Sequence, residues 1–351
     1  MIDSDEKLSA FLPTIRAAAW IAVDTEADSL HAYPEKICLI QISTAAGDEL
    51  VDPLAAIKLD PLLEALNAHT LIVHGADYDL RLLCKHHEFV PSAIFDTMLA
   101  ARLLGERQFG LGALVEKFLG VKLEKGSQKA NWARRPLTER MEAYARNDTH
   151  YLKPLVDQLC AELKAKHRLA WHEESCARLI DECTRPEPVD HDFNWRVKGS
   201  HLLNRAALGV LRELWQWRER EAIAANKPPF FILRHEDIVT IAAAAAARKP
   251  LGPLVPRHLS ERRRLGLAEA VKAGVQLPPD QYPEIPRHRG RRPTEAERRR
   301  FDEIAKRRDR QAERLEIDPT LIASRSVIAD LAYSWDTHAP QLMSWQRELL
   351  A

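Results

Sequence analysis

The chain has 351 residues, 46% of them apolar and 29% charged, which fits an ordinary soluble protein with room for two or three domains of about 100–200 residues. Fifty-one Lys and Arg balance fifty-one Asp and Glu, which argues against a non-specific basic coat for nucleic acid but leaves room for a local basic surface beside an acidic pocket. No apolar stretch approaches the roughly 18 residues that span a bilayer, and five scattered cysteines without CxxC spacing indicate neither a disulfide framework nor a structural zinc site.

The N-terminus MIDSDEKLSAF is acidic, lacks the pattern of a secretory leader and reads as the start of a helix. A reducing cytoplasm is expected. WIAVDTE (20–26), KICLIQIS (36–43) and DELVD (48–52) read as strands. No long crossover helix separates them, so they predict an antiparallel meander. LDPLLEALNAH (59–69) predicts a helix with Asp60 as cap and Pro61 at its first position. TLIVHGA (70–76) is a strand, and DYDLRLLCKHH (77–87) has helical periodicity through Leu80, Leu83 and Cys84. Helices are predicted over 93–104 and 109–119, and from a Thr138 cap through Tyr151, with Pro154 as a possible kink. The pattern is a mixed α/β sheet without GxGxxG or a P-loop.

From residue 186 the character changes. RPEPVDHD reads as a linker, and the chain beyond it is all-helical. A long amphipathic helix with a Pro-Pro turn (202–233) is followed by helices over 237–246 and 259–271. PPDQYPEIPRHRGRRP (278–293) reads as a second linker. Beyond it, 295–317, 318–332 and 340–350 repeat the theme, with an Asp-Pro turn after a charged helix. This predicts an approximate duplication of a helical module, with two unrelated helical hairpins as the alternative.

The chemistry concentrates in acids. Asp24 and Glu26, two apart on a strand, leave the same face. Two like charges side by side are unfavourable unless a cation joins them. Alone, the pair is equally a strand end spilling into solvent. His74-Gly-Ala-Asp-Tyr-Asp79 sits where a strand meets a helix. Asp77 there suits a helix cap, while Asp79 lies in the first turn away from Leu80 and Leu83. Tyr144 and Asp148 are four apart on a helix and point at the same place; alone they also fit a surface Asp beside a half-buried Tyr. Together these are four carboxylates and a tyrosine without His or Cys ligands, a hard-oxygen set that suits Mg²⁺ or Mn²⁺. Two such ions about 3.5–4 Å apart clamp the attacking and leaving oxygens of a phosphodiester.

DTE (24–26), His74xxxxAsp79 and Tyr144xxxAsp148, in this order, resemble the three exonuclease motifs of the DEDD superfamily, tyrosine type. LGALVEKFLGVKL (111–123), NWARRPLTERMEAYARND (131–148) with its RRPL run, and WRVKG (195–199) resemble the ribonuclease D family. The helical modules resemble HRDC domains, nucleic-acid-binding modules shared by that family and RecQ helicases; the second is more diverged and rests on its position and on SRSVIADLA (324–332). The resemblance covers nearly the whole chain. It implies a ribonuclease H-like mixed-sheet exonuclease domain (1–185), a linker (186–204), an HRDC-like domain (205–280), a linker (281–292) and a second HRDC-like domain (293–351).

It further implies that Asp24, Glu26, Asp79 and Asp148 bind two divalent ions, Mg²⁺ or Mn²⁺. Asp24 would bridge them, Glu26 and Asp148 would complete the site of the water-activating ion, and Asp79 would serve the other. Tyr144, protonated at neutral pH at its ordinary pKa near 10, would orient the attacking water. Asp77 does not match the motif spacing, and His74 is expected to be structural. Asn131 stands where the family often has an acid before Trp132, a departure that bears on local substrate contacts and spares all four ligands. Asp28 is expected to be a loop residue without a role. The implied reaction is 3′→5′ hydrolysis of RNA with a free 3′ end, tRNA precursors foremost, releasing nucleoside 5′-monophosphates. Trp195, Trp215, Trp217, Phe230 and Phe231 are stacking candidates, although aromatics of small domains are mostly core. The Arg-rich stretch 287–292 is the better electrostatic candidate. A preference for DNA ends and a non-catalytic nucleic-acid-binding scaffold are the alternatives. No membrane association or obligate protein partner is expected, and a monomer is the default.

Overall fold

A computed structural model describes residues 1–124, 126–185, 193–285 and 293–351. The linker sequence over 186–192 and the Arg-rich stretch 287–292 lie outside the described residues. The described residues fall into two compact units. One holds 1–27, 37–185 and 293–351; the other holds 28–36 and 193–285.

The first unit is built on a five-stranded sheet. After α1 (Asp5–Ala17) come β1 (Ile21–Ala27), β2 (Ile37–Thr44) and β3 (Gly47–Val51), then α2 (Asp60–Asn67), β4 (Thr70–Val73), α3 (Asp77–His87) and β5 (Ala93–Asp96). The strand order is β3-β2-β1-β4-β5. β1–β2 and β2–β3 are antiparallel, as the short connections predict, and β4 and β5 join in parallel. β5 departs from the sequence expectation of a helix over 93–104. Its four residues run directly into α4 (Thr97–Leu104), whose N-cap is the last strand residue, Asp96. Asp60 is not the cap of α2 but its first residue, and Leu59 at the cap makes no side-chain bond. Likewise Asp77 opens α3 without capping it and forms a two-pronged ion pair with Arg81, at 3.1 and 3.2 Å.

α5 (Leu111–Leu119), α6 (Glu139–His150), α7 (Leu152–Ala165) and α8 (Leu169–Thr184) complete the sequence up to 185. Thr138 caps α6 as expected, its hydroxyl accepting from Met141 N at 3.2 Å. Pro154 falls in the first turn of a new helix, α7, where a missing N–H costs nothing. One sheet face buries Ile21, Val23, Ile40 and Ile42; the opposite face carries Leu39 and Leu50 beneath Met141 and Ala145 of α6.

The second unit is helical: α9 (Arg205–Ala225), α10 (Pro229–Ile232), α11 (His235–Ala246) and α12 (Glu261–Val275). It has its own core around Leu211, Leu214, Trp217, Ile238 and Ile241, to which Trp195 and Leu203 of the linker stretch 186–204 contribute. The loop 28–36 belongs to this unit. Tyr33 donates to Glu219 at 2.5 Å, and its N–H donates to Asn226 Oδ1 at 3.2 Å. Asp28 has more to do than the sequence suggests: fully buried, it accepts from Lys36 N at 2.9 Å and pairs with the Lys36 ammonium, closing the loop.

α13 (Glu295–Leu315), α14 (Pro319–Ile322), α15 (Arg325–Tyr333), α16 (Trp335–His338) and α17 (Ser344–Leu350) belong to the first unit. Their Ile322, Ile328 and Trp345 share one core with Leu103, Leu104 and Leu155. Trp345 stacks on Trp171 with centroids 5.0 Å apart. The buried Arg168 donates to Leu103 O at 2.6 Å and to Leu315 O at 2.7 Å, tying α4 to the end of α13. Gly105, at φ +93°, is needed here, because a Cβ would overlap the Glu316 carbonyl. No described helix is long and apolar enough to cross a membrane.

Candidate active site

β1 and α6 bring three carboxylates together. Asp24, Glu26 and Asp148 each offer an oxygen within 4.8 Å of the others, and each keeps part of its surface open. β1 supplies two because alternate residues share a face, and its pairing register shifts at Glu26/Ala27, where the strand ends. α6 supplies Asp148, with Tyr144 one turn before it. α6 is anchored through Thr149, whose hydroxyl lies 2.7 Å from that of Ser43 on β2.

The fourth acid arrives from the other face of the same strand. Thr25 points away from Asp24 and Glu26, and its hydroxyl donates to Asp79 Oδ1 of α3. Asp79 stands outside the three-acid cluster but close enough to raise the proton affinity of Asp24 and Glu26. The start of α3 is held by the buried Asp96, which accepts from Gly75 N at 3.1 Å and Ala76 N at 3.0 Å while also capping α4 through Met98 N at 2.8 Å. Gly75 adopts φ +66°, in the left-handed region that favours glycine. His74 has the structural role expected. Thr97 spends its hydrogen on Val73 O at 3.0 Å, so His74 Nδ1–H donates to the Thr97 oxygen at 2.8 Å. Burial lowers the His74 pKa and keeps the ring neutral.

The NWARRPL run is the support of α6. Arg135 grips Asp52 with two bonds of 2.5 Å and donates to Cys38 O and Trp132 O, both at 2.7 Å. Asn131 Oδ1 accepts from Ala133 N at 3.2 Å, a turn-forming bond that a carboxylate oxygen makes equally well. The departure at this position thus leaves the local turn intact. The Trp132 ring stands 6.1 Å from that of Tyr144. Gln128, which belongs to none of the three motifs, hydrogen-bonds the Tyr144 oxygen, and the Tyr144 hydroxyl reaches Asp148. Gln128 carried no signal in the sequence, and Thr25, although inside DTE, gave no hint of its partner, because each acts across elements far apart in the chain.

The electrostatics are those of a site short of positive charge. Burial, then repulsion from Asp79, Asp148 and Glu26, holds the Asp24 pKa well above the carboxylate range. Burial and the neighbouring acids push Glu26 to about 9, and burial takes Asp148 to about 7 and Asp79 to about 6. Every charged neighbour acting on Asp24 and Glu26 is another acid. An all-oxygen set with no internal counter-charge fits a hard divalent cation, so the acidic cluster can coordinate a divalent metal.

Known proteins agree with this arrangement. Residues 1–164 match the 3′-5′ exonuclease family, and residues 207–249 match the HRDC domain. The ribonuclease D of Gluconacetobacter diazotrophicus is 31% identical over 99% of this chain and 89% of its own length. The crystal structure of Escherichia coli RNase D, described as an exoribonuclease involved in structured RNA processing, superposes with a TM-score of 0.75 at 27% identity, covering 100% of this chain and 96% of that one. A protein from Bifidobacterium adolescentis shares the fold with a TM-score of 0.84 at 23% identity, covering 100% of this chain and 94% of that one. With its ribonuclease H-like mixed sheet, its acidic cluster and its HRDC-like helices, this chain belongs to the ribonuclease D family of DEDD 3′-5′ exonucleases.

Proposed function

We propose that the chain trims the 3′ ends of tRNA precursors and other structured RNAs, one nucleoside 5′-monophosphate at a time, with two ions of Mg²⁺ or Mn²⁺. The observation that carries this reading is the convergence of Asp24, Glu26 and Asp148 within 4.8 Å, with Tyr144 one turn before Asp148. Asp24, Glu26 and Asp148 would hold the ions, with Asp79, steadied by Thr25, completing the set. The bound ions would lower the pKa of water and stabilise charge on the leaving 3′ oxygen.

The remaining roles belong to side chains. Burial and the adjacent acids raise the Tyr144 pKa above its ordinary value, so its hydroxyl keeps its proton and acts as an orienting group. Gln128 bonds the Tyr144 oxygen and Trp132 flanks its ring, which limits the ring's freedom. In the first helical unit Phe230 and Phe231 are 46% and 55% exposed and are the stacking candidates, whereas Trp195 and Trp217 are core and Trp215 packs against them. The cytoplasm is the compartment where such RNAs would be met, and the chain would act as a monomer.

Replacing Asp24 or Asp148 with Ala should abolish metal-dependent release of mononucleotide from a 3′-labelled RNA. Undiminished release by both variants would overturn the assignment. A matched DNA strand tests sugar preference, and faster trimming of DNA would replace RNA as the substrate.

A further inference from the structure

Gln41 lies on β2 directly opposite Asp24 on β1. Opposed residues of an antiparallel pair leave the same face, with Cβ atoms about 4.5–5.5 Å apart. Gln41 is fully buried, and neither its Nε2 nor its Oε1 has a hydrogen-bond partner. A buried carboxamide with nothing to bond is disfavoured over an apolar side chain of the same shape. The surrounding sheet does not use it. Its partner on β3 is Leu50, and on its own strand face the next residues are Leu39 and Ser43, the latter bonded to Asp48 and Thr149. The polar group that faces it across the strands is Asp24.

We propose that Gln41 is a positioning residue of the metal site. Its Nε2 donates to the Asp24 oxygen left free when that carboxylate turns onto the cation. Ligating carboxylates are commonly fixed by a hydrogen bond from behind, and losing such a bond typically weakens metal binding about 10–100-fold. Asp24 is the acid on which Glu26, Asp148 and Asp79 all act, so it gains most from a fixed rotamer. Gln41 thereby carries the cost of an unmade bond in the metal-free protein and recovers it on loading. This inference rests on the proposed metal site.

Gln41→Met keeps the size and removes both polar atoms, which gives two readouts of opposite sign. In chelator, the full-length variant should melt at the same temperature as wild type or higher. In calorimetric titration with Mn²⁺ alone, its Kd should rise by about tenfold or more, and its mononucleotide release should recover at high Mn²⁺. A lower metal-free Tm would mean that the carboxamide is already bonded within the fold, and the proposal falls. It also falls if wild type and variant bind Mn²⁺ equally. If wild type itself binds no Mn²⁺, the metal reading fails and takes the proposal with it.

Discussion

The two helical modules are built from the same parts and hold themselves together differently. Each opens with a helix of 21 residues, closes it in the left-handed conformation at Asn226 or Glu316, turns through a four-residue helix after Pro228-Pro229 or Asp318-Pro319, and starts another helix at once. The first buries nine residues of its long helix, seven of them in its own core. The second buries only Glu297 and Ala312 of its long helix and completes its core with leucines of α4 and α7. A repeated backbone plan therefore does not imply a repeated domain: one copy has a core of its own, joined by Tyr33 of the loop 28–36, and the other shares the core of α4 and α7.

The bluntest way to break this contrast is to end the chain at residue 292. Leu103, Leu104, Leu155 and Leu159 would lose their cover, and the remainder should be insoluble or lack a cooperative melt; a soluble product with an unshifted Tm would refute the shared core. Trp345→Ala is the milder version. It should cost about 3–5 kcal/mol in denaturant unfolding and destabilise the catalytic unit, while Trp217→Ala should do comparable damage to α9–α12 alone. Hydrogen exchange resolved by segment separates the two outcomes.

The acid site sharpens the contrast through pH. In the metal-free chain Glu26 titrates at about 9 and Asp148 at about 7, against roughly 4 when unfolded. The folded state then holds protons that the unfolded state releases above about pH 4. The contribution of these two acids to stability is full below about pH 4, is lost progressively as pH rises, and is spent above about 7 for Asp148 and about 9 for Glu26. Once the base-catalysed rise of intrinsic exchange is divided out, protection in α13–α17 should therefore fall with pH and recover on adding Mn²⁺, while protection in α9–α12 should respond to neither. The smallest effect concerns the exposed pair: Phe230→Ala with Phe231→Ala should leave Tm unchanged and weaken single-stranded RNA binding by about 1–3 kcal/mol per lost stack.

The strands β1 to β3, the helix over 77–87 and the capped helix from Thr138 were legible because each satisfies a local rule of periodicity or capping. So were Asp24, Glu26 and Asp148, whose spacing places them on one strand face and one helix face. β5 was hidden because Asp96 ends the strand and caps the helix in the same residue, so the apolar pattern runs through without a break. Gln41 and Thr25 were hidden for another reason. Their meaning depends on what stands opposite them, which no spacing along the chain encodes. The merged core was concealed by α13 itself, whose charged sequence gives little hint that Ala312 and the residues after it finish another domain.

That merged core sets a timetable for synthesis. The catalytic strands and helices are complete by residue 185, but Trp345, which stacks on Trp171, emerges about 160 residues later. At roughly 5–20 residues per second the ribosome takes about 8–30 s to supply it. Throughout that interval the leucines of α4 and α7 are bare, and the nascent nuclease is unfinished. A chain broken off before Trp345 would carry Asp24, Glu26, Asp79 and Asp148 and still leave the leucines of α4 and α7 without the cover that α13–α17 give them.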